Sequence, residues 1–245
     1  MRHIIETSAA SGEWLIHGDG AGCAIRIIAP DASPLQSCSV DRVLFVLSGA
    51  AAVTIGTETF EAPQHALVLL PAGTPHRIGG EARLLDVLAP APSAEPFHPA
   101  TARTVESASG LVRPLLAENF SKGGFAYQSL ADRASGSANL RVNIVEVQPG
   151  AGSPDFHIHA FDQFYFILAG RMHVEVGRKL MVAEAGSLVH LPAGIVHRNY
   201  NLDPEAETHV TLIAPEPAAG EIFDYACDIR DREAELMEKQ KVTQR

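Results

Sequence analysis

Three histidines and a glutamine, set in a frame of glycines and prolines, are the residues of this 245-residue sequence best suited to chemistry. One segment, Gly152-Ser-Pro-Asp-Phe-His157-Ile-His159-Ala-Phe-Asp-Gln163, runs on to Gly170. A second starts at Gly186, passes Pro192 and Gly194, and reaches His197 and Asn201. Side chains alternate between the two faces of a β-strand, so His157 and His159 project from one side of one strand. His197 arrives on another strand after a Pro-Ala-Gly turn, and Gln163 opens a third apolar run. A lone histidine reads as a core residue with its hydrogen bond satisfied. A His-x-His pair with a third histidine and an oxygen donor instead reads as a site for one divalent transition metal per chain, with coordination positions left open. Imidazole suits Fe2+, Mn2+, Co2+, Ni2+ and Zn2+ alike, so the donors do not select the metal.

The elements that must position these donors come in two copies. Shifting the sequence by 121 residues lays Phe45-Val-Leu-Ser-Gly49 on Phe166-Ile-Leu-Ala-Gly170. The same shift lays Ala66 to His76 on Ser187 to His197, and after a short insertion Leu84 to Pro90 falls on His209 to Pro215. A repeat of this length is a duplicated domain. Within each copy, short apolar runs are broken by glycine and proline, the pattern of an all-β sandwich or barrel. The expected division is an N-terminal barrel over 1–100, a linker or opening strands over 101–135, a C-terminal barrel over 136–227 and a helix or tail over 228–245. Under the same shift the donors fall on Gln36, Cys38, Arg42 and His76. Arginine cannot ligate a metal, so the first copy reads as structural, with the metal expected in the second alone.

The spacing also resembles the cupin family, whose motifs are G-x5-HxH-x3,4-E-x6-G and G-x5-PxG-x2-H-x3-N. Gly186, Pro192, Gly194, His197 and Asn201 fit the second motif at every position, and His157 to Gly170 fit the first. Two departures stand out. Gly152 lies four rather than five residues before His157, and Gln163 replaces the glutamate. The resemblance implies two tandem double-stranded β-helix (jelly-roll) barrels, here with a short C-terminal helix. It also implies a metal held by His157, His159, His197 and Gln163. A neutral amide in place of a carboxylate leaves a bound cation at full charge, a stronger Lewis acid, and removes a base. Sites of this composition occur among cupin isomerases and cyclases, and three-histidine sites among quercetinase-like dioxygenases. Tyr165 shares parity with Gln163 and is the candidate hydrogen-bond donor or general acid. Arg141, Asn143, His173, Glu175, His190, Asn199 and Asn201 read first as surface or barrel-end polar residues.

Composition bounds the remaining choices. The formal charge is −10, 46% of residues are hydrophobic, and no basic cluster forms a phosphate footprint, so nucleic acid is not an expected partner. No apolar run reaches membrane-spanning length, and the start lacks a signal-peptide core. Three widely spaced cysteines read as reduced thiols of a cytoplasmic protein. The expected partner is a small-molecule substrate, and the expected assembly a monomer or homodimer. The leading functional expectation is a metal-dependent dioxygenase acting on a small oxygenated or enolisable molecule. An isomerase or cyclase ranks next, then a non-catalytic, sugar-like ligand-binding barrel.

Overall fold

The computed structural model describes residues 3–7, 12–18, 20–31 and 33–229. Nearly every element is a strand, with short 3-10 turns at Ala108–Leu111, Ala117–Asn119 and Arg133–Ser135. The helix expected near Arg232 to Lys241 lies outside the described residues. Among the described residues no helix is long and apolar enough to cross a membrane.

Two sheets make the C-terminal jelly roll. One contains, in order, Ile4–Glu6, Ser187–Leu191, Asp162–Ala169, Glu207–Ala214, Arg141–Val147 and Phe125–Ala131. The other contains Lys179–Glu184, Arg171–Val176, His197–Tyr200, Gly152–Ile158 and Tyr225–Ala226. In the N-terminal copy two long bent strands, Asp41–Ile55 and His76–Ala89, pass through both halves and merge them into one nine-stranded sheet. The repeat holds in register: Arg42 pairs with Leu70 and Phe45 with Leu67, as Gln163 pairs with Leu191 and Phe166 with Leu188. The bend falls at Gly49 in one copy and Gly170 in the other, both at positive φ (74° and 71°). A side chain at Gly49 would place its Cβ 2.1 Å from the Glu81 carbonyl oxygen, so glycine alone fits there.

Strand pairing crosses between the two copies. Ile4–Glu6 pairs with Ser187–Leu191 of the C-terminal barrel rather than with its own, Ile4 opposite Val189. Val112–Arg113 pairs reciprocally with Leu67–Leu70 of the N-terminal barrel, Val112 opposite Val68. Segment 101–135 therefore serves both barrels, because Phe125–Ala131 also pairs with Arg141–Val147. The physical reason is an edge. Each sheet would otherwise end on an unpaired ladder, and the chain leading into the opposite repeat covers it.

One apolar cluster joins the two copies: Val43, Phe45, Leu85 and Val87 pack with Phe164, Phe166, Val210 and Leu212. These are the same positions of the repeat seen from both sides, a self-complementary interface of pseudo-twofold kind. Each fully buried side chain of this type contributes roughly 1.5–3 kcal/mol. Two aspartates at equivalent positions stitch its rim. Asp162 accepts from the Ala193 amide at 2.9 Å and the Gly22 amide at 3.0 Å, while Asp41 accepts from the Ala72 amide and Asn139 Nδ2, each at 3.0 Å. Each therefore fixes its own Pro-Ala-Gly turn and reaches across to the other barrel.

Cys23, Cys38 and Cys227 are free, and burial pushes the Cys23 thiol far up, away from reactivity. The interior of the first barrel is filled with Leu44, Val46, Val53, Val68, Leu84 and their neighbours. At the place of the donor cluster, Arg42 donates to Asp86 from Nε (2.7 Å) and Nη2 (3.0 Å) and to His76 Nε2 from Nη1 (2.9 Å). His76 in turn donates from Nδ1 to the Thr74 carbonyl at 2.9 Å, so its ring is neutral. Burial, with the Arg42 charge, lowers its pKa from 6.5 to about 4. The folded value lies below the unfolded one, so this contribution to stability is full above pH 6.5 and is lost as pH falls toward 4. Between pH 7.5 and pH 5 the loss comes to about 2 kcal/mol. His76→Gln, which keeps a neutral acceptor for Arg42, is expected to flatten the pH dependence of urea unfolding by about that amount. Identical slopes for variant and wild type would show that the ring is not held neutral.

Candidate metal centre

His157 lies on Gly152–Ile158, opposite His197 on His197–Tyr200, and the chain runs directly on to His159. His157, His159, Gln163 and His197 are all buried, and the three histidines cluster in the second barrel. The three ring centroids lie 4.4 to 4.9 Å apart, and the histidine ligand atoms lie within 4.8 Å of one another.

Each ring is oriented by its outer nitrogen. His157 Nδ1 donates to the Asp155 carbonyl at 2.8 Å, His159 Nδ1 to the Phe223 carbonyl at 2.9 Å, and His197 Nδ1 to the Ile195 carbonyl at 3.0 Å. A carbonyl only accepts, so each Nδ1 carries a hydrogen, and in a neutral ring that leaves the lone pair on Nε2. Burial lowers the pKa of His159 and holds that of His197 at about 4, so both rings are neutral at neutral pH. His159 Nε2, His197 Nε2 and Gln163 Oε1 are buried without a hydrogen-bond partner. Three such atoms aimed at one point would cost several kcal/mol if left unpaired. All are acceptors, and a cation satisfies acceptors. The donor set fits a divalent metal.

The turn that delivers His197 is fixed locally. Gly194 donates to the His159 carbonyl at 2.8 Å, and Asp162 holds the Ala193 amide. Asn201, the last residue of the second motif, donates to the Val147 and Glu205 carbonyls and is a turn-former rather than a cavity residue.

A cavity of about 450 Å3 opens over the histidines. Gln163, Tyr165, Asn199 and Thr211 line its wall, with Arg141 and Asn143 beside them. Burial pushes the Tyr165 phenol above its ordinary range, with the Asp224 and Glu207 charges adding to the shift, so it is a neutral donor. Its hydroxyl lies 3.5 Å from Asn199 Oδ1, and its ring edge meets His209, which is bonded to Glu207 at 2.8 Å. Arg141 Nε and Asn143 Oδ1 are buried without hydrogen-bond partners, the nearest charge to the guanidinium being Glu216 at 3.9 Å. The structure thus brings Arg141, Asn143 and Asn199 to the cavity. It turns the other three candidates away. His190 stacks on Phe164, His173 stacks on Tyr200, and Glu175 pairs with Arg198 at 2.7 Å.

Sequence reasoning missed the lid side. Phe223 and Asp224 follow the last long strand, with no periodicity to mark them. Yet Phe223 packs against His159 and Phe161, and Asp224 Oδ1 lies 3.2 Å from His159 Nδ1. Phe125 and Tyr127 complete the rim. Their alternation along Phe125–Ala131 was the signal available.

Residues 143–214 match the family described as Cupin domain. An uncharacterized protein of Streptomyces coelicolor is 30% identical over 103 residues, 42% of this chain and 91% of that protein. Among solved structures, a variant of oxalate decarboxylase from Bacillus subtilis gives a TM-score of 0.67 at 15% identity, covering 92% of this chain and 79% of that one. A variant of salicylate 1,2-dioxygenase from Pseudoaminobacter salicylatoxidans gives 0.63 at 14% identity, covering 78% of this chain and 69% of that one. At such identities the likeness is one of fold. The family match spans the segment carrying all four donors, and the fold likeness extends over both jelly rolls.

Proposed function

We propose that this protein is a metal-dependent enzyme acting on a small oxygenated or enolisable molecule, as a dioxygenase working through the second barrel. The observation that carries the reading is the set of three imidazoles, each oriented by a backbone carbonyl on Nδ1, clustered beneath a cavity of about 450 Å3. His157, His159, His197 and Gln163 would hold one divalent metal. That metal would supply Lewis acidity toward a substrate oxygen and a binding position for O2. Dioxygenation places both oxygen atoms in the product, so it needs no external reductant. Salicylate 1,2-dioxygenase, a fold neighbour, carries that reaction type in its name.

The chain's own residues account for substrate handling. Arg141 and Asn143 bring a guanidinium and an amide to the cavity wall, suited to an oxygen-rich substrate. Tyr165, a neutral phenol, donates a hydrogen bond toward a substrate oxygen. Phe125, Tyr127 and Phe223 cover the mouth and limit water. One observation favours a second reading, a metal-dependent isomerase or cyclase. Gln163 is an amide, so none of the four donors carries a negative charge to weaken the cation's pull on a carbonyl. Oxygen uptake separates the two.

Reconstituted protein is expected to hold one equivalent of metal by elemental analysis, and a His157→Ala/His159→Ala double variant to hold none. Two equivalents per chain, or full retention in the double variant, contradicts the assignment. Gln163→Ala is expected to lose less than about tenfold in metal affinity while its turnover changes, since an amide oxygen is a weak donor beside three imidazoles. Loss of most of its metal would make Gln163 a structural ligand instead. Finally, metal-loaded protein offered enediols and catechols is expected to consume one O2 per product. Arg141→Ala should raise KM about 10- to 100-fold with a smaller change in kcat, the scale of one charged hydrogen bond. Turnover without oxygen consumption would select the isomerase reading.

A further inference from the structure

The first barrel has its own cavity, of about 440 Å3, at the mouth corresponding to the metal centre of the second. Gln36 and Arg42, the counterparts of His157 and Gln163, line it together with Arg26 and Phe97. Arg26 and Arg42 converge on a single carboxylate. Arg26 Nε donates to Asp86 Oδ2 at 2.8 Å, and Arg42 grips both oxygens at 2.7 and 3.0 Å. Asp86 is fully buried, and His76 is neutral. Two cations against one anion leave this buried group one positive charge in excess. Asp31 sits on the exposed rim, where its carboxylate accepts from Ser33 and is screened by water.

Arg26 is held as a receptor group is held. Its guanidinium lies 4.4 Å over the Trp14 ring and 5.4 Å from Phe97, which also carries Arg42 at 4.8 Å. With Nε on Asp86 and the plane fixed by the rings, the terminal amino groups of Arg26 have no hydrogen-bond partner among the described residues. A guanidinium so restrained loses little conformational freedom on binding, and its fork matches a planar carboxylate.

We infer that the N-terminal barrel is a binding site for a small carboxylate, received by the Arg26 guanidinium with the Arg42–Asp86 pair behind it. The site is distinct from the cavity of the second barrel and uses no metal. The barrel that lost its donor set thus keeps a charged, preorganised mouth.

Calorimetry on metal-loaded protein with malonate, and separately with inorganic phosphate, tests the proposal. Malonate is expected to bind with one equivalent per chain that survives Arg141→Ala. Arg26→Gln is expected to weaken it by about tenfold or more, the scale of a lost charged hydrogen bond. Arg26→Lys, which keeps the charge without the fork, is expected to weaken it about threefold or more. Unchanged metal content confirms that each variant is folded. No malonate binding at 10-mM-scale concentrations, about where a single exposed ion pair would register, overturns the proposal. So does full affinity in either Arg26 variant, loss of the binding event in Arg141→Ala, or binding of phosphate but not malonate.

Discussion

The constraint on which the rest depends is the apolar seam between the two barrels. Phe164, Phe166, Val210 and Leu212 must face Phe45, Leu85 and their neighbours, because no other surface takes so much hydrocarbon out of water. A strand has period two, so burying those residues sends the alternate set the other way. Gln163, Tyr165, His209 and Thr211 are that alternate set. A one-residue slip in either strand would carry the polar set into the seam and the phenylalanines into the cavity. Packing between domains therefore sets the orientation of the site, although no seam residue touches it.

The same scaffold carries two different interiors. Leu44 and Leu84 stand in the first barrel where Tyr165 and His209 stand in the second, and Asp86 stands where Thr211 does. The first interior is packed with apolar side chains beneath its charged mouth, and the second is lined by polar ones. The cation is accommodated differently as well. In the first barrel a guanidinium built into the chain meets His76 Nε2 and a buried carboxylate. In the second, equivalent lone pairs are left free to converge. Both barrels use the same tautomer device, a histidine Nδ1 donating to the carbonyl two residues back, at His76, His157 and His197. The hardware for presenting an imidazole lone pair outlasted the metal site.

Much of this was legible in the sequence. The repeat implied that the two copies share one register, and Arg42 opposite Leu70 matches Gln163 opposite Leu191. Strand parity placed His157, His159 and Tyr165 on the cavity side. The exchange of Ile4–Glu6 and Val112–Arg113 was hidden because strands of two or three residues carry no period, and their partners are distant in sequence. Phe223 and Asp224 escaped for the same reason. Their role comes from a backbone carbonyl and a ring contact at His159, neither of which leaves a pattern in residue types.

The charge around the second site follows from these placements. Gln163 brings no charge to the donor set, and the Asp224 carboxylate lies on the outer Nδ1 side of His159 at 3.2 Å. A negative charge there strengthens the imidazole as a donor, and Asp224 also stands on the cavity lining. Glu207, the other carboxylate near this interior, is held by His209 behind the Tyr165 ring. Arg141, at the opposite wall, adds positive charge. The cavity thus presents the histidine cluster and a guanidinium to whatever enters, with the Asp224 carboxylate at its edge. The positive side of the cavity is therefore the Arg141 wall and the negative side the Asp224 edge. With Gln163 in the donor set, that asymmetry rests on Arg141 and Asp224, and it sets the chemistry of this barrel apart from one whose donor set includes a carboxylate.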